Sequence, residues 1–282
     1  MKINLIKLST LCLLSSMFFV SCKKDILQRP AQRALSATIL KEWHIQLSSK
    51  YQVPAVSCSK EQMGTVCLQL FSDNSLKYKI EVKDVPSDDK LVAAHIHEGN
   101  PLENGSIVLG LEPTFIGGNA NGIITNLRST FVDSLQSDAN ELYFNVHSTK
   151  HPKGVVRGQL NAVIDLADDV ILSGANQIPS INTTAKGLAL IRLTADKKLY
   201  SNVTVKDLEM GDNLIAAHIH SGAAGANGPV SVVLCKSAAD FGMIQINTLT
   251  DAVYMSVKSG YNYVNAHSTN HPKGIVRGQI NN

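Results

Sequence analysis

The 282-residue sequence is poor in charge, aromatic rings and cysteine: 17% of its residues are charged, 5% are aromatic, and it holds 1 Trp and 5 Cys. A formal net charge of +3 without a basic block gives no support to nucleic-acid binding. At 44% hydrophobic residues the chain is too apolar for a disordered one. Its 19 Gly and 9 Pro are too few for a collagen-like or low-complexity chain. There is no GxSxG, P-loop, HExxH or CxxC, and no repeated Asp/Glu pair suited to glycoside cleavage. Ser148 follows His147 but has neither a nucleophile elbow nor a third partner, so the reading leans away from an enzyme. Long apolar runs are also missing. The one that stands out, Leu11 to Val20, is too short to cross a bilayer as a permanent helix.

That run is nevertheless informative. Lys2 and Lys7 precede it, which is the layout of a secretory signal over residues 1–21. It ends in Phe19-Val20-Ser21-Cys22, which resembles a bacterial lipobox, so Cys22 is expected to carry lipid and to become the new N-terminus. Lys23-Lys24-Asp25 opens a tether over residues 22–40 that resembles the charged start of outer-membrane lipoproteins. The expected location is the bacterial cell envelope, facing the periplasm or the surface, with the membrane as partner through Cys22. Removing the signal takes away Lys2 and Lys7 and leaves 24 basic against 23 acidic residues, so charge offers no clue to a partner. Of the remaining thiols, Cys58 and Cys67 are near enough in sequence to bridge across a hairpin or loop in an oxidising compartment, and Cys235 reads as a buried small hydrophobe.

The body of the chain is one unit written twice. Val92-Ala93-Ala94-His95-Ile96-His97 returns as Ile215-Ala216-Ala217-His218-Ile219-His220. Asn145-Val146-His147-Ser148-Thr149 returns as Asn265-Ala266-His267-Ser268-Thr269, and His151-Pro152-Lys153-Gly154 as His271-Pro272-Lys273-Gly274. Val156-Arg157-Gly158-Gln159 matches Val276-Arg277-Gly278-Gln279, and upstream Gln52 and Pro54 match Gln177 and Pro179. Copies of this length are whole domains rather than solenoid repeats. They are expected over residues 41–164 and 168–282.

Each copy reads as all-β. In Leu76 to Lys83 apolar and charged side chains alternate, the period of a strand with one buried and one wet face. Asp73-Asn74, Asn104-Gly105, Gly117-Gly118 and Asn227-Gly228 mark turns. Thr130 to Ala139 can form a helical turn. Seven or eight short strands per copy suggest an immunoglobulin-like or Greek-key β-sandwich or barrel.

Eight of the 9 His lie in the repeated motifs; His44 does not. Strand alternation puts His95 and His97 on one face and Ala94 and Ile96 on the other. By the same rule Tyr143, Asn145 and His147, with Arg157 and Gln159 after the turn, point away from the core, as do His218, His220, Asn265, His267, Arg277 and Gln279. Two chemistries fit. Two His at i and i+2 with a third on another strand can bind copper or zinc through neutral imidazoles, using His95, His97, His147 and His151, and His218, His220, His267 and His271. Alternatively the His, Asn, Arg and Gln side chains form a polar network that ties loops to the sheet, with Arg157 clamping a carboxylate such as Glu98.

The motifs running from Leu172-Ser173-Gly174-Ala175 through Ala217-His218-Ile219-His220-Ser221-Gly222 to Arg277-Gly278-Gln279 resemble the CHRD domain, a module named after the extracellular antagonist chordin and found in bacterial secreted proteins. The first copy departs at Leu47-Ser48-Ser49-Lys50 and at Gly105-Ser106-Ile107. The resemblance implies an immunoglobulin-like β-barrel distantly similar to copper/zinc superoxide dismutase, with no established activity. It also implies a binding or structural module, whose partner would be an extracellular protein or a glycan. The HxH strand is similar to the copper-ligand strand of the dismutase. No His lies between Glu98 and Asn140 or between Ser221 and Asn262, so a zinc site of the dismutase type cannot be assembled from one copy.

Overall fold

A computed structural model describes residues 37–56 and 60–281. The signal segment, Cys22 and Cys58 lie outside the described residues. Domain 1 contains β1 (Ile39–Ser48), β2 (Met63–Phe71), β3 (Leu76–Lys83), β4 (Leu91–Glu98), β5 (Ile107–Gly110), β6 (Asn119–Ile124), α1 (Ser129–Gln136), β7 (Leu142–Ser148) and β8 (Val156–Gln159). Domain 2 repeats the series with β9 (Ile164–Ser173), β10 (Lys186–Thr194), β11 (Lys198–Lys206), β12 (Leu214–Ser221), β13 (Val230–Cys235), β14 (Gln245–Thr248), α2 (Asp251–Ser259), β15 (Asn262–Ser268) and β16 (Val276–Ile280). No helix among the described residues is long and apolar enough to cross a membrane.

Each domain is one curled eight-stranded sheet, ordered β5-β4-β7-β8-β1-β2-β3-β6 and β13-β12-β15-β16-β9-β10-β11-β14. The seam between the two halves is thin. β8 meets β1 at the single pair Ser48↔Arg157, and β16 meets β9 at Arg277↔Ser173. The chain crosses between halves after β3, β5 and β6, which gives a Greek-key path. In β3 the expected alternation is realised: Leu76, Tyr78, Ile80 and Val82 are buried while Lys77, Lys79 and Lys83 are exposed. The core forms between the halves, where Leu68 and Ile80 join Ile96 and Phe144 in one apolar cluster. Each such side chain, fully withdrawn from water, contributes about 1.5–3 kcal/mol. The expected helical turn is α1, which buries Phe131, Val132 and Leu135. Cys235 is buried as expected, and burial pushes its thiol up to about 12.

Alternation fails to describe β7 and β15, where all seven residues are buried in each strand. Phe144 and Val146 enter the apolar core. Tyr143, Asn145 and His147 leave from the other face, as the period requires, but loops cover them. That second, polar interior holds the candidate site.

Candidate metal centre

Antiparallel pairing of β4 with β7 sets His95 opposite Asn145 and Ala93 opposite His147, so imidazoles from two strands meet on one face. In domain 2 the equivalent pairs are His218↔Asn265 and Ala216↔His267. One ring nitrogen from each of His95, His97 and His147 lies within 4.8 Å of the others, and the same holds for His218, His220 and His267. Among the described residues no carboxylate or thiol joins either triad.

Backbone carbonyls fix the rings. His97 Nδ1 lies 3.0 Å from Gly105 O, and His147 Nδ1 lies 3.0 Å from Pro152 O. Carbonyl oxygen only accepts, so both Nδ1 atoms carry the proton and both Nε2 atoms present a lone pair. His95 Nδ1 sits 2.9 Å from His147 Nε2 and is therefore the donor of that bond. Domain 2 repeats each contact: His220 to Gly228 O at 2.9 Å, His267 to Pro272 O at 3.1 Å, and His218 to His267 at 3.1 Å. The Nε2 atoms of His97 and His220 are buried without any hydrogen-bond partner. Leaving a buried acceptor unpaired costs about 1–3 kcal/mol, and here it happens at the same atom in both domains.

Burial favours the neutral form of His95, His97, His147, His218 and His267. Burial is the main cause holding His95, His97 and His147 below the ordinary imidazole range, with neighbouring imidazoles adding to it. In domain 2 burial likewise depresses His267, and it brings His218 down to about 4. Neutral rings with oriented lone pairs are the form in which histidine ligates a metal. An ion about 2.0–2.1 Å from each nitrogen needs the nitrogens roughly 3.5 Å apart, so closing a triad takes a change of ring position and the exchange of the His95–His147 or His218–His267 hydrogen bond for the ion.

Behind His97 lies a stack. Its ring is parallel to Tyr143 at 4.8 Å with an interplanar angle of 9°, and the Arg157 guanidinium covers the other face of Tyr143 at 3.4 Å. His220, Tyr263 and Arg277 repeat this at 4.9 Å and 3.4 Å. Burial lowers Arg157 to about 10, so it stays charged at neutral pH. The expected clamp on Glu98 does not form. Arg157 instead donates to Asn100 O, Asn104 Oδ1 and Gln159 Oε1, because Glu98 points to solvent from the opposite side of β4. Arg277 donates to Ala223 O, Ala226 O and Asn227 Oδ1.

The remaining residues picked out from the sequence hold the surrounding loops. Asn145 accepts from Gln52 and donates to Lys153 O, and Asn265 does the same with Gln177 and Lys273 O. Gln159 and Gln279 donate to Gly99 O and Gly222 O. His151 and His271 sit in the turns, where their backbone N–H groups donate to Ser148 Oγ and Ser268 Oγ; neither belongs to a triad. Cys67 Sγ lies 3.4 Å from His44 Nδ1, and its suggested partner Cys58 is outside the described residues.

Sequence reading aimed Tyr143 outward without giving it a role, and it missed Tyr263 and the carbonyl clamps. Tyr143 and Tyr263 were legible, since both share the outward face with Asn145 and Asn265. The clamps carry a subtler signal in Gly105 and Gly228: a Cβ there would overlap the carbonyl oxygen of Glu98 or Ser221, so only glycine lets the loop lie close enough to reach the His ring.

The family model described as the CHRD domain matches residues 43–160 and 169–280. No curated protein and no solved structure matches the chain.

Proposed function

Since this chain belongs to the CHRD family, with two domains in tandem, we propose that it is an extracytoplasmic binding module in which each domain holds a transition-metal ion, copper or zinc, in its His triad. The observation that carries this reading is the orphaned Nε2 of His97 and of His220. Each is aimed by a bonded Nδ1, and each lies in a cluster of three imidazoles. A network that served only to fasten loops would have no use for an unpaired acceptor repeated in both copies. What favours the purely structural alternative is the bond from His95 to His147, which satisfies those two rings without an ion.

Metal analysis of the protein purified without a histidine tag, followed by titration with copper and zinc, separates the two. Uptake of two ions per chain near neutral pH supports the metal reading. No uptake leaves the structural network. Three features support the cell-envelope location: the Lys2 and Lys7 start, the Leu11 to Val20 run and the Ser21-Cys22 step. Cys22→Ala should release the protein from membranes, and unchanged detergent partitioning would refute lipidation. With Cys22 acylated, the module would face the periplasm or the exterior.

A further inference from the structure

We infer that both triads select copper in its univalent state, copper(I), over divalent ions. The inference rests on the metal reading above and deepens it through the charge of the surroundings.

The donor set is three imidazoles with no carboxylate or thiolate among the described residues. Beyond the donors, His97 and His147 donate to Gly105 O and Pro152 O, and His220 and His267 to Gly228 O and Pro272 O. The outer-shell partner of a metal-bound histidine is a carboxylate, a backbone carbonyl or a water, and of these only a carboxylate brings a charge that offsets a dication. Here the corresponding places are held by uncharged peptide carbonyls. A formal charge stacked behind each site has the wrong sign for a dication. Arg157 and Arg277 are 0% and 2% exposed, each lying flat on a tyrosine whose other face carries a triad imidazole. Two stacking steps place that guanidinium roughly 8 Å from the ring. At an effective dielectric of about 20 it disfavours each added unit of metal charge by on the order of tenfold. A singly charged ion bears this once and a dication bears it twice. Alkali cations are singly charged too, but they take oxygen donors, whereas imidazole suits copper.

The two domains supply an internal control. Glu103 in domain 1 is bonded to Asn100 Nδ2 at 3.3 Å, on the residue whose carbonyl receives Arg157. The equivalent position in domain 2 is Ala226, whose own carbonyl receives Arg277. The Arg277 charge therefore has no carboxylate at that position, and the preference for copper(I) should be stronger in domain 2.

The test uses the full chain without a histidine tag, under anaerobic conditions. Copper(I) is titrated against a chromophoric copper(I) chelator and zinc(II) against a chromophoric zinc chelator. The expected result is two copper(I) per chain, with apparent affinity about tenfold or more above that for zinc(II). Zinc(II) bound as tightly as copper(I) would overturn this inference while leaving the triads as metal sites; uptake of neither ion would overturn the metal reading itself. Arg277→Gln should shift the zinc-to-copper(I) affinity ratio of one site toward zinc by roughly tenfold, while Arg277→Lys keeps it. Because Arg277→Gln removes buried hydrogen bonds and can unfold domain 2, Ala226→Glu serves as the second variant. It adds a carboxylate at an exposed loop position and should shift the ratio the same way by a few-fold. An unchanged ratio in Ala226→Glu, or in a folded Arg277→Gln, overturns the inference.

Discussion

Domain 1 and domain 2 place their imidazoles by the same strand register, and the rings meet the same atoms to within about 0.2 Å. They differ in how the covering loops are held. In domain 1, Gln52 serves both domains: its Nε2 donates to Asn145, while its carbonyl accepts from the buried Arg192 of β10, which also pairs with Asp169 at 2.8 Å. Gln177 makes the first of these contacts in domain 2, to Asn265. The Arg157 loop carries Glu103 where the Arg277 loop carries Ala226. The shared parts are the triad, the two carbonyl clamps and the His–Tyr–Arg stack. A tandem protein whose copies differ in loop fastening yet agree at every ring contact points to the rings as the business of the fold.

The most severe way to break the symmetry is to remove imidazoles from one copy. His95→Ala with His97→Ala should cut metal uptake from two ions per chain to one, read by elemental analysis, and His218→Ala with His220→Ala should do the same from the other side. Complete loss from either double variant would mean that the two sites are not independent.

Next in size is the loss of a carbonyl clamp. Gly105→Ala and Gly228→Ala force a Cβ onto a carbonyl oxygen. Each should destabilise its own domain by about 3 kcal/mol in urea unfolding, with equal costs in the two copies if the clamp is the shared device. A cost confined to one copy would break the equivalence drawn here.

Acid offers a gentler probe. Burial depresses His95, His97, His147, His218 and His267 in the folded protein, whereas an unfolded chain protonates them near the ordinary value of about 6.5. Below that pH the unfolded state binds more protons, so metal-free stability should be full above about pH 6.5 and fall on acidification toward about 4, where His218 titrates. The urea midpoint between pH 7.5 and pH 4.5 checks this. A midpoint that rises on acidification would contradict neutral, buried rings. Bound metal should flatten the upper part of the curve.

The smallest expected effect is that of Glu103→Ala. Removing this carboxylate should make domain 1 resemble domain 2, moving its copper(I)-to-zinc affinity ratio upward by a few-fold. Competition titration of the variant in a background lacking His218 and His220 isolates that site.

Much of this was legible before any coordinates. Alternation in Leu76 to Lys83 gave one wet and one dry face because a strand's period of two is a local property of the backbone. The same rule aimed the His, Asn and Arg side chains away from the apolar core, and the repeat located them twice. It could not show that the outward face of β7 would itself be covered, since the residues that do so, Gln52, Gly99, Asn100 and Gly105, come from loops distant in sequence. Nor could it exclude His151 from the triad, because the turn geometry beside Ser148 decides where that ring goes.

Sequence alone determined that there are two copies of one β-unit, that four His per copy belong to its motifs, and that nothing in composition names a partner. The tertiary structure decided which three of those four converge, which nitrogen each ring offers, and that a buried guanidinium stands behind them. Direction along a strand is set by neighbouring residues. Convergence across strands, and the charge that surrounds it, depend on sheet order and loop closure, which no local pattern encodes.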